Sequence, residues 1–236
     1  MKYPIHLLTI VFLLSFNQSY GQFGVRLKYN NNGFDNLDRT INTQFSTDKQ
    51  VFKSGFEGGI DYWFRLKKRR VEFMPELAYS YAVTGVNADR GLDNINYTGY
   101  NFNFHTHFYA LDMEGDCNCP TFSKQGPSIN KGLFFHFTPG IGYYQFDAKT
   151  NGGAAHYEAD EGIVFRGGIG LGMDIGFSDL FTITPILSYY FHTKITWDGV
   201  PVYIIEHTGV VPVNQRQLQF TVRLGFSPDY TSGRRR

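Results

Sequence analysis

From Phe23 to Phe226 the chain alternates apolar and polar residues with a period of two, in one segment after another. That period belongs to β-strands that face an apolar medium on one side and a polar one on the other. In the first segment Phe23, Val25, Leu27 and Tyr29 form one face and Gly24, Arg26 and Lys28 the other. The second sets Phe52, Phe56, Ile60, Tyr62, Phe64 and Leu66 against Lys53, Gly55, Glu57, Gly59, Asp61 and Arg65. After a basic turn at Lys67 to Arg70, the third sets Val71, Phe73, Leu77, Tyr79, Tyr81 and Val83 against Glu72, Glu76 and Ser80. The fourth opposes Tyr100, Phe102, Phe104 and Phe108 to Asn101, Asn103, His105 and His107. Four more follow around Leu133 to Tyr143, Ile163 to Phe177, Phe181 to Phe191 and Leu218 to Phe226. The number of segments is even, as an up-and-down antiparallel barrel requires.

Strands that face lipid on one side and a lumen on the other must alternate in this way, with the apolar faces outward. A chain can span a bilayer only as helices or as a closed barrel, because every backbone polar group there needs an internal partner. No apolar run after Gln22 is long enough for a helix, and the mean hydropathy of -0.28 fits none. An aromatic content of 17% and 26 glycines suit a barrel, which needs interfacial girdles outside and small residues inside. The formal net charge of +1 gives no reason to expect a nucleic-acid partner. The predicted fold is therefore all-β, an eight-stranded antiparallel transmembrane barrel with meander topology.

At the N-terminus Lys2, the apolar run from Leu7 to Phe16 and small residues at Ser19 and Gly21 read as a signal peptide over 1–21, too short to be a membrane helix. The barrel then covers 22–226, and a short basic periplasmic tail covers 227–236. Connections 30–50, 84–98, 147–161 and 193–214 are long and are expected outside the cell, while 67–70 and 178–179 are short and periplasmic. The long connection 115–132 breaks this alternation. Pro75, Pro139 and Pro185 recur in an apolar-x-Pro-x-apolar-x-Tyr pattern. A proline cannot donate to a ladder, so each is expected at a bulge or a rim.

Together with this pattern, the ending Val222-Arg223-Leu224-Gly225-Phe226 resembles the terminal assembly signal of small outer-membrane β-barrels of the Bacteroidetes type, related to the OmpA and OmpX membrane domains. The match departs from that signal in that Ser227 to Arg236 follow the phenylalanine. The resemblance implies the bacterial outer membrane as location, its lipid as surroundings and the barrel-insertion machinery as a partner during assembly.

Eight strands enclose a bore that side chains just fill. Arg26, Lys53, Glu57, Asp61, Arg65, Glu72, Glu76, Arg166, Asp174 and Arg223, with Lys28, are expected to form a lumenal charge network, since buried charges must be paired. A catalytic Glu72/Glu76 pair would need the access that such a plug denies. His105 and His107 could chelate but share their face with asparagines, which favours hydrogen bonding. His192-Thr193 near the outer rim invites comparison with lipid-modifying barrels, but no Ser and acid at a suggestive spacing complete that site. Cys117 and Cys119 are the only thiols and form a periplasmic cysteine turn. A strained bond between them, mixed disulfides to a partner, and a metal site with Asp112, Glu114 or Asp116 all fit, the first leading. Val202, Tyr203, Ile204, Ile205, Val210 and Val211 make the last loop unusually apolar, a candidate extracellular contact or a packed hairpin. The expected role is non-enzymatic, without cofactor: a structural or protein-interaction component, accessory to an envelope complex. A lipid-modifying enzyme and a narrow channel are the alternatives.

Overall fold

The computed structural model describes residues 22–34, 38, 52–66, 69–84, 92–111, 132–150, 160–176, 181–197 and 211–226. The signal segment, Phe177, the turn at 178–179, both cysteines, Val202 to Val210 of the last loop and the basic tail lie outside these residues. In chain order the strands are β1 (Gln22–Phe34), β2 (Ser54–Arg65), β3 (Val71–Thr84), β4 (Leu92–Phe108), β5 (Leu133–Thr150), β6 (Asp160–Met173), β7 (Ile175–Gly176), β8 (Phe181–His192), β9 (Ile195–Trp197), β10 (Val211–Val213) and β11 (Gln215–Phe226). Each wall strand pairs antiparallel with its neighbour in sequence, and β11 pairs with both β8 and β1, which closes the sheet. β6 and β7 are one wall strand interrupted at Asp174, so the wall has eight strands in an up-and-down meander. β9 and β10 form a separate two-stranded ribbon.

Phe23 lies opposite Phe226, so both ends of the barrel meet at one rim, the terminal rim; the opposite end is the loop rim. Outward side chains are large and apolar: Phe23 is 62% exposed, Phe56 67% and Ile163 66%. Aromatic pairs directly opposite across strands gather toward the terminal rim, Phe23–Tyr62, Phe64–Phe73 and Phe181–Phe226, with ring centroids 5.3 to 5.4 Å apart. A second set, Tyr29–Phe56 and Tyr79–Tyr100, lies nearer the loop rim at 5.6 and 5.4 Å. Aliphatic residues such as Leu27, Ile60 and Leu77 fill the band between. An apolar outside and a charged inside are the reverse of a soluble barrel, and strands of 12 to 18 residues exceed the roughly 10 that cross a bilayer. The chain is a transmembrane barrel.

Strand ends depart from the period. Phe52, expected outward, is buried inside the loop rim with φ at 55°, so the chain turns before β2 rather than entering it extended. Lys53, expected in the lumen, precedes β2 and is exposed, because that turn carries it out of register. Val71, expected on the lipid face, is buried at the β2–β3 turn, where its N–H donates to the Arg69 carbonyl at 2.8 Å.

The prolines sit at neither bulges nor rims. Asp61 pairs with Glu76 and Phe64 with Phe73, so the β2–β3 register is unshifted across Pro75. The ladder there only skips the two pairs at Pro75 and Met74. The β4–β5 ladder skips two pairs at Pro139 in the same way. At Pro185 the β8 ladder passes from β6 to β7 without a shift. Each proline thus opens the seam to the preceding strand and leaves the other seam closed, Phe104, Gly167 and Val222 being the partners there.

The bare inward face of β6 is filled from its neighbours. Gly168 lies opposite Tyr190 and Gly172 opposite Phe134, while on β4 Gly99 lies opposite Tyr144. A Cβ at these positions would fall 2.4, 2.3 and 2.4 Å from the facing ring. Each glycine surrenders its side-chain volume to an aromatic across the strand. Gly168→Ala is therefore expected to destabilise the barrel by about 1–3 kcal/mol through overpacking. Gly58→Ala, on the outward face with nothing within 4 Å, should not; urea unfolding of both variants in lipid vesicles measures the difference.

Candidate functional site

The lumen holds three layers of side chains, each set by inward positions of several strands. In the middle layer the Arg26 Nε donates to Asp61 at 2.6 Å, and the Arg223 Nε and Nη2 donate to the same carboxylate at 2.7 to 3.0 Å. Asp61 thus joins β1, β2 and β11. Beside it Lys28 donates to Glu57 at 2.5 Å and to Glu76 at 2.6 Å, and the Arg166 Nη1 donates to Glu57 at 3.1 Å. Glu76 also accepts from the Asn103 amide at 2.8 Å and lies 2.7 Å from the His105 Nε2.

From His105 the chain of contacts continues to β8. The His105 Nδ1 lies 2.9 Å from both the Thr138 hydroxyl and the His136 Nε2, and the His136 Nδ1 is 2.8 Å from the Ser188 hydroxyl. Thr138 and His136 Nε2 are 2.5 Å apart. One proton order runs through four of these five contacts: Ser188 donates to His136, His136 to Thr138, Thr138 to His105, and His105 to Glu76. With Lys28, Glu57, Arg166 and the Asp61 pair, this layer touches all eight wall strands.

Toward the terminal rim, Glu72 accepts from the Trp63 indole at 2.8 Å and from the Tyr109 hydroxyl at 2.9 Å. Asp174, in the β6–β7 interruption, contacts the hydroxyls of Tyr109 and Thr184. The Arg70 guanidinium covers the Tyr109 ring at 4.1 Å, and His107 stacks on Phe134 at 3.8 Å. Toward the loop rim Asn30, Asn32, Gln215, Gln217 and Gln219 form a ladder of carboxamides, and Tyr97 stacks on Tyr144 at 5.1 Å. Phe34 and Phe52 close that end, with rings 5.7 Å apart.

Of the sequence-derived network, Arg26, Glu57, Asp61, Glu76, Arg166 and Arg223 come together in the middle layer, and Glu72 and Asp174 meet around Tyr109. Glu72 and Glu76 therefore serve different layers and do not face each other as a pair. Lys53 lies outside the lumen, and the side chain of Arg65 is outside the described residues. His105 enters the hydrogen-bonded chain and His107 a ring stack, so the two do not converge on one point. His192 is half-buried, 6.3 Å from Tyr144 by ring centroid. Thr193 extends the wall, its N–H donating to the Phe165 carbonyl at 2.8 Å. Of the six candidate contact residues in the last loop, Val202, Tyr203, Ile204, Ile205 and Val210 lie outside the described residues, and Val211 starts β10 opposite Trp197. Trp63, Arg70, Tyr109, Phe134, Tyr144 and Tyr190 were not singled out from the sequence. The glycines facing Phe134, Tyr144 and Tyr190 were the available signal.

No family model matches the chain, and no curated protein sequence matches it. Solved structures similar to it include the Neisserial surface protein A, at 11% identity and a TM-score of 0.47, covering 88% of this chain and 98% of that one. Ail of Yersinia pestis, the attachment invasion locus protein, is 12% identical with a TM-score of 0.46, covering 87% and 97%. OprG of Pseudomonas aeruginosa is 10% identical with a TM-score of 0.42, covering 87% and 95%. Likeness at this level carries no information on function. The closed even-stranded wall, its apolar outside and its charged inside make this protein an outer-membrane β-barrel.

Asp61 is the sole carboxylate paired with both Arg26 and Arg223 among the described residues. Asp61→Asn leaves two buried guanidinium groups uncompensated and should cost about 3–5 kcal/mol in barrel stability. Lys53→Gln should change it by less than about 0.5 kcal/mol; equilibrium unfolding in vesicles compares the two.

Proposed function

We propose that the protein is a non-enzymatic outer-membrane component whose barrel is a rigid frame and whose work is done at its rims, as a structural or protein-interaction subunit of an envelope complex. The observation that supports this is the middle layer: among the described residues, buried ion pairs and hydrogen bonds reach side chains of all eight wall strands, which favours a lumen that serves the frame over one that conducts. The partners are then outer-membrane lipid around the wall, the insertion machinery during assembly and an envelope protein at a rim. The Bacteroidetes affiliation and the signal peptide are supported by the sequence motifs.

One observation favours an enzyme: Ser188, His136, His105 and Glu76 line up as nucleophile, base and orienting groups would. Against it, Ser188 is 2% exposed, and its hydroxyl sits inside a chain that also holds Lys28. The frame reading accounts for the same contacts without a substrate.

Planar-bilayer recording of the purified barrel should show no steady conductance, and the protein should shift on gels only after boiling in SDS. Native electrophoresis of mild-detergent extracts should place it in a species larger than the barrel alone. Large stable open steps would replace the frame with a channel, and migration as a lone barrel in gentle extracts would remove the complex.

A further inference from the structure

Arg166 is nearly fully buried, yet only one of its three nitrogens is satisfied. Its Nη1 donates to Glu57, with the Tyr144 hydroxyl at 3.5 Å, while Nε and Nη2 have no partner. Those two N–H groups form one edge of the guanidinium, and both can converge on a single acceptor oxygen. The Tyr190 hydroxyl and the Asn101 carbonyl oxygen, nearby and buried, are also without partners. The guanidinium is held in place from below by the Tyr190 ring at 4.4 Å.

Arg166 lines a cavity of about 10 Å³ together with Glu57, Ser80, Tyr97, Tyr144 and the carboxamides Asn30, Asn32, Gln215 and Gln217. This is about the room one water needs. Tyr97 of this lining packs with Phe34 and Phe52 toward the loop rim, an aromatic roof with centroids 5.7 to 6.3 Å apart. Phe52 is the one described residue other than glycine with positive φ, at 55°. A bulky ring in the left-handed region is strained, and such strain gathers at clamps and switches. It is held by Asn32, whose amide donates to the Phe52 carbonyl at 3.1 Å and which lines the cavity below.

We propose that this chamber binds one oxygen of an uncharged ligand on the free edge of Arg166, a water at rest and the hydroxyl of a small polyol or sugar when the aromatic roof lifts. Charge selects the ligand. Arg166 and Lys28 are already matched by Glu57 and Glu76, so an anion would be set against Glu57 and a cation against the guanidinium. A hydroxyl meets both needs, accepting from Nε–H and Nη2–H and donating to a carboxamide oxygen of the wall. The chamber is blind, because the middle layer closes its floor.

The test follows the Arg166 Nε–H resonance in nitrogen-15-arginine-labelled protein in lipid nanodiscs, assigned by its loss in Arg166→Lys. The resonance should show a cross-peak to water and shift as glycerol is added, while the Arg223 Nε–H, inside the closed network, stays still. Choline chloride at the same concentration should leave Arg166 unmoved. In Phe52→Ala the glycerol midpoint should fall several-fold. No water cross-peak and no glycerol shift in the wild-type protein overturns the proposal, whether or not Phe52→Ala folds. An equal response to choline chloride overturns the choice of an uncharged ligand.

Discussion

A charged lumen wrapped in lipid must neutralise itself, because neither the surrounding hydrocarbon nor bulk ions reach it. Among the described residues the buried charges balance: Arg26, Lys28, Arg70, Arg166 and Arg223 against Glu57, Asp61, Glu72, Glu76 and Asp174. Such a network is not the most stabilising filler, since apolar residues of equal volume often do as well. Its consequence is register. Slipping one wall strand by a residue would turn its charges into lipid and its phenylalanines into the lumen, and would strip partners from several other strands. The ladder hydrogen bonds close the wall; the ion pairs decide which closure is the native one.

Shape is settled separately from charge. Opposite Tyr144, Tyr190 and Phe134 stand Gly99, Gly168 and Gly172, so bulk on one strand is admitted by its absence on the next. The three prolines follow a related logic. Each faces outward and removes its donor from one seam only, so the wall stays closed while the ladder thins beside Met74, Thr138 and Thr184. Inside those seams Thr138 holds His105 and His136, and Thr184 holds Asp174, so the lumenal network bridges two of the places where the ladder is weakest.

The sequence makes the direction of a side chain legible and its partner illegible. Lipid imposes a strict period on every strand, so the eight strands and the inward placement of Arg26, Glu57, Asp61, Glu76, Arg166 and Arg223 follow from parity alone. Pairing depends on strand tilt and stagger, which bring Lys28 of β1 to Glu76 of β3 and Arg166 of β6 to Glu57 of β2, and no local pattern encodes that. Parity also fails where turns begin. Phe52, Lys53 and Val71 all lie at strand ends, where backbone geometry rather than the two media sets direction.

The two ends of the lumen are shut by different physics. At the terminal rim Arg70, Tyr109, Trp63, Glu72 and Asp174 interlock through charge and hydrogen bonds, and opening that end would strand carboxylates in a low-dielectric interior. At the loop rim the closure is ring against ring, on a residue whose backbone is strained, anchored by an amide of Asn32. Aromatic contacts of this kind are each worth about 0.5–1.5 kcal/mol beyond their burial, and the strain at Phe52 works against them. The terminal end is thus closed by buried charge and the loop end by a strained aromatic contact, beneath which the fold leaves a polar chamber and an Arg166 edge unspent.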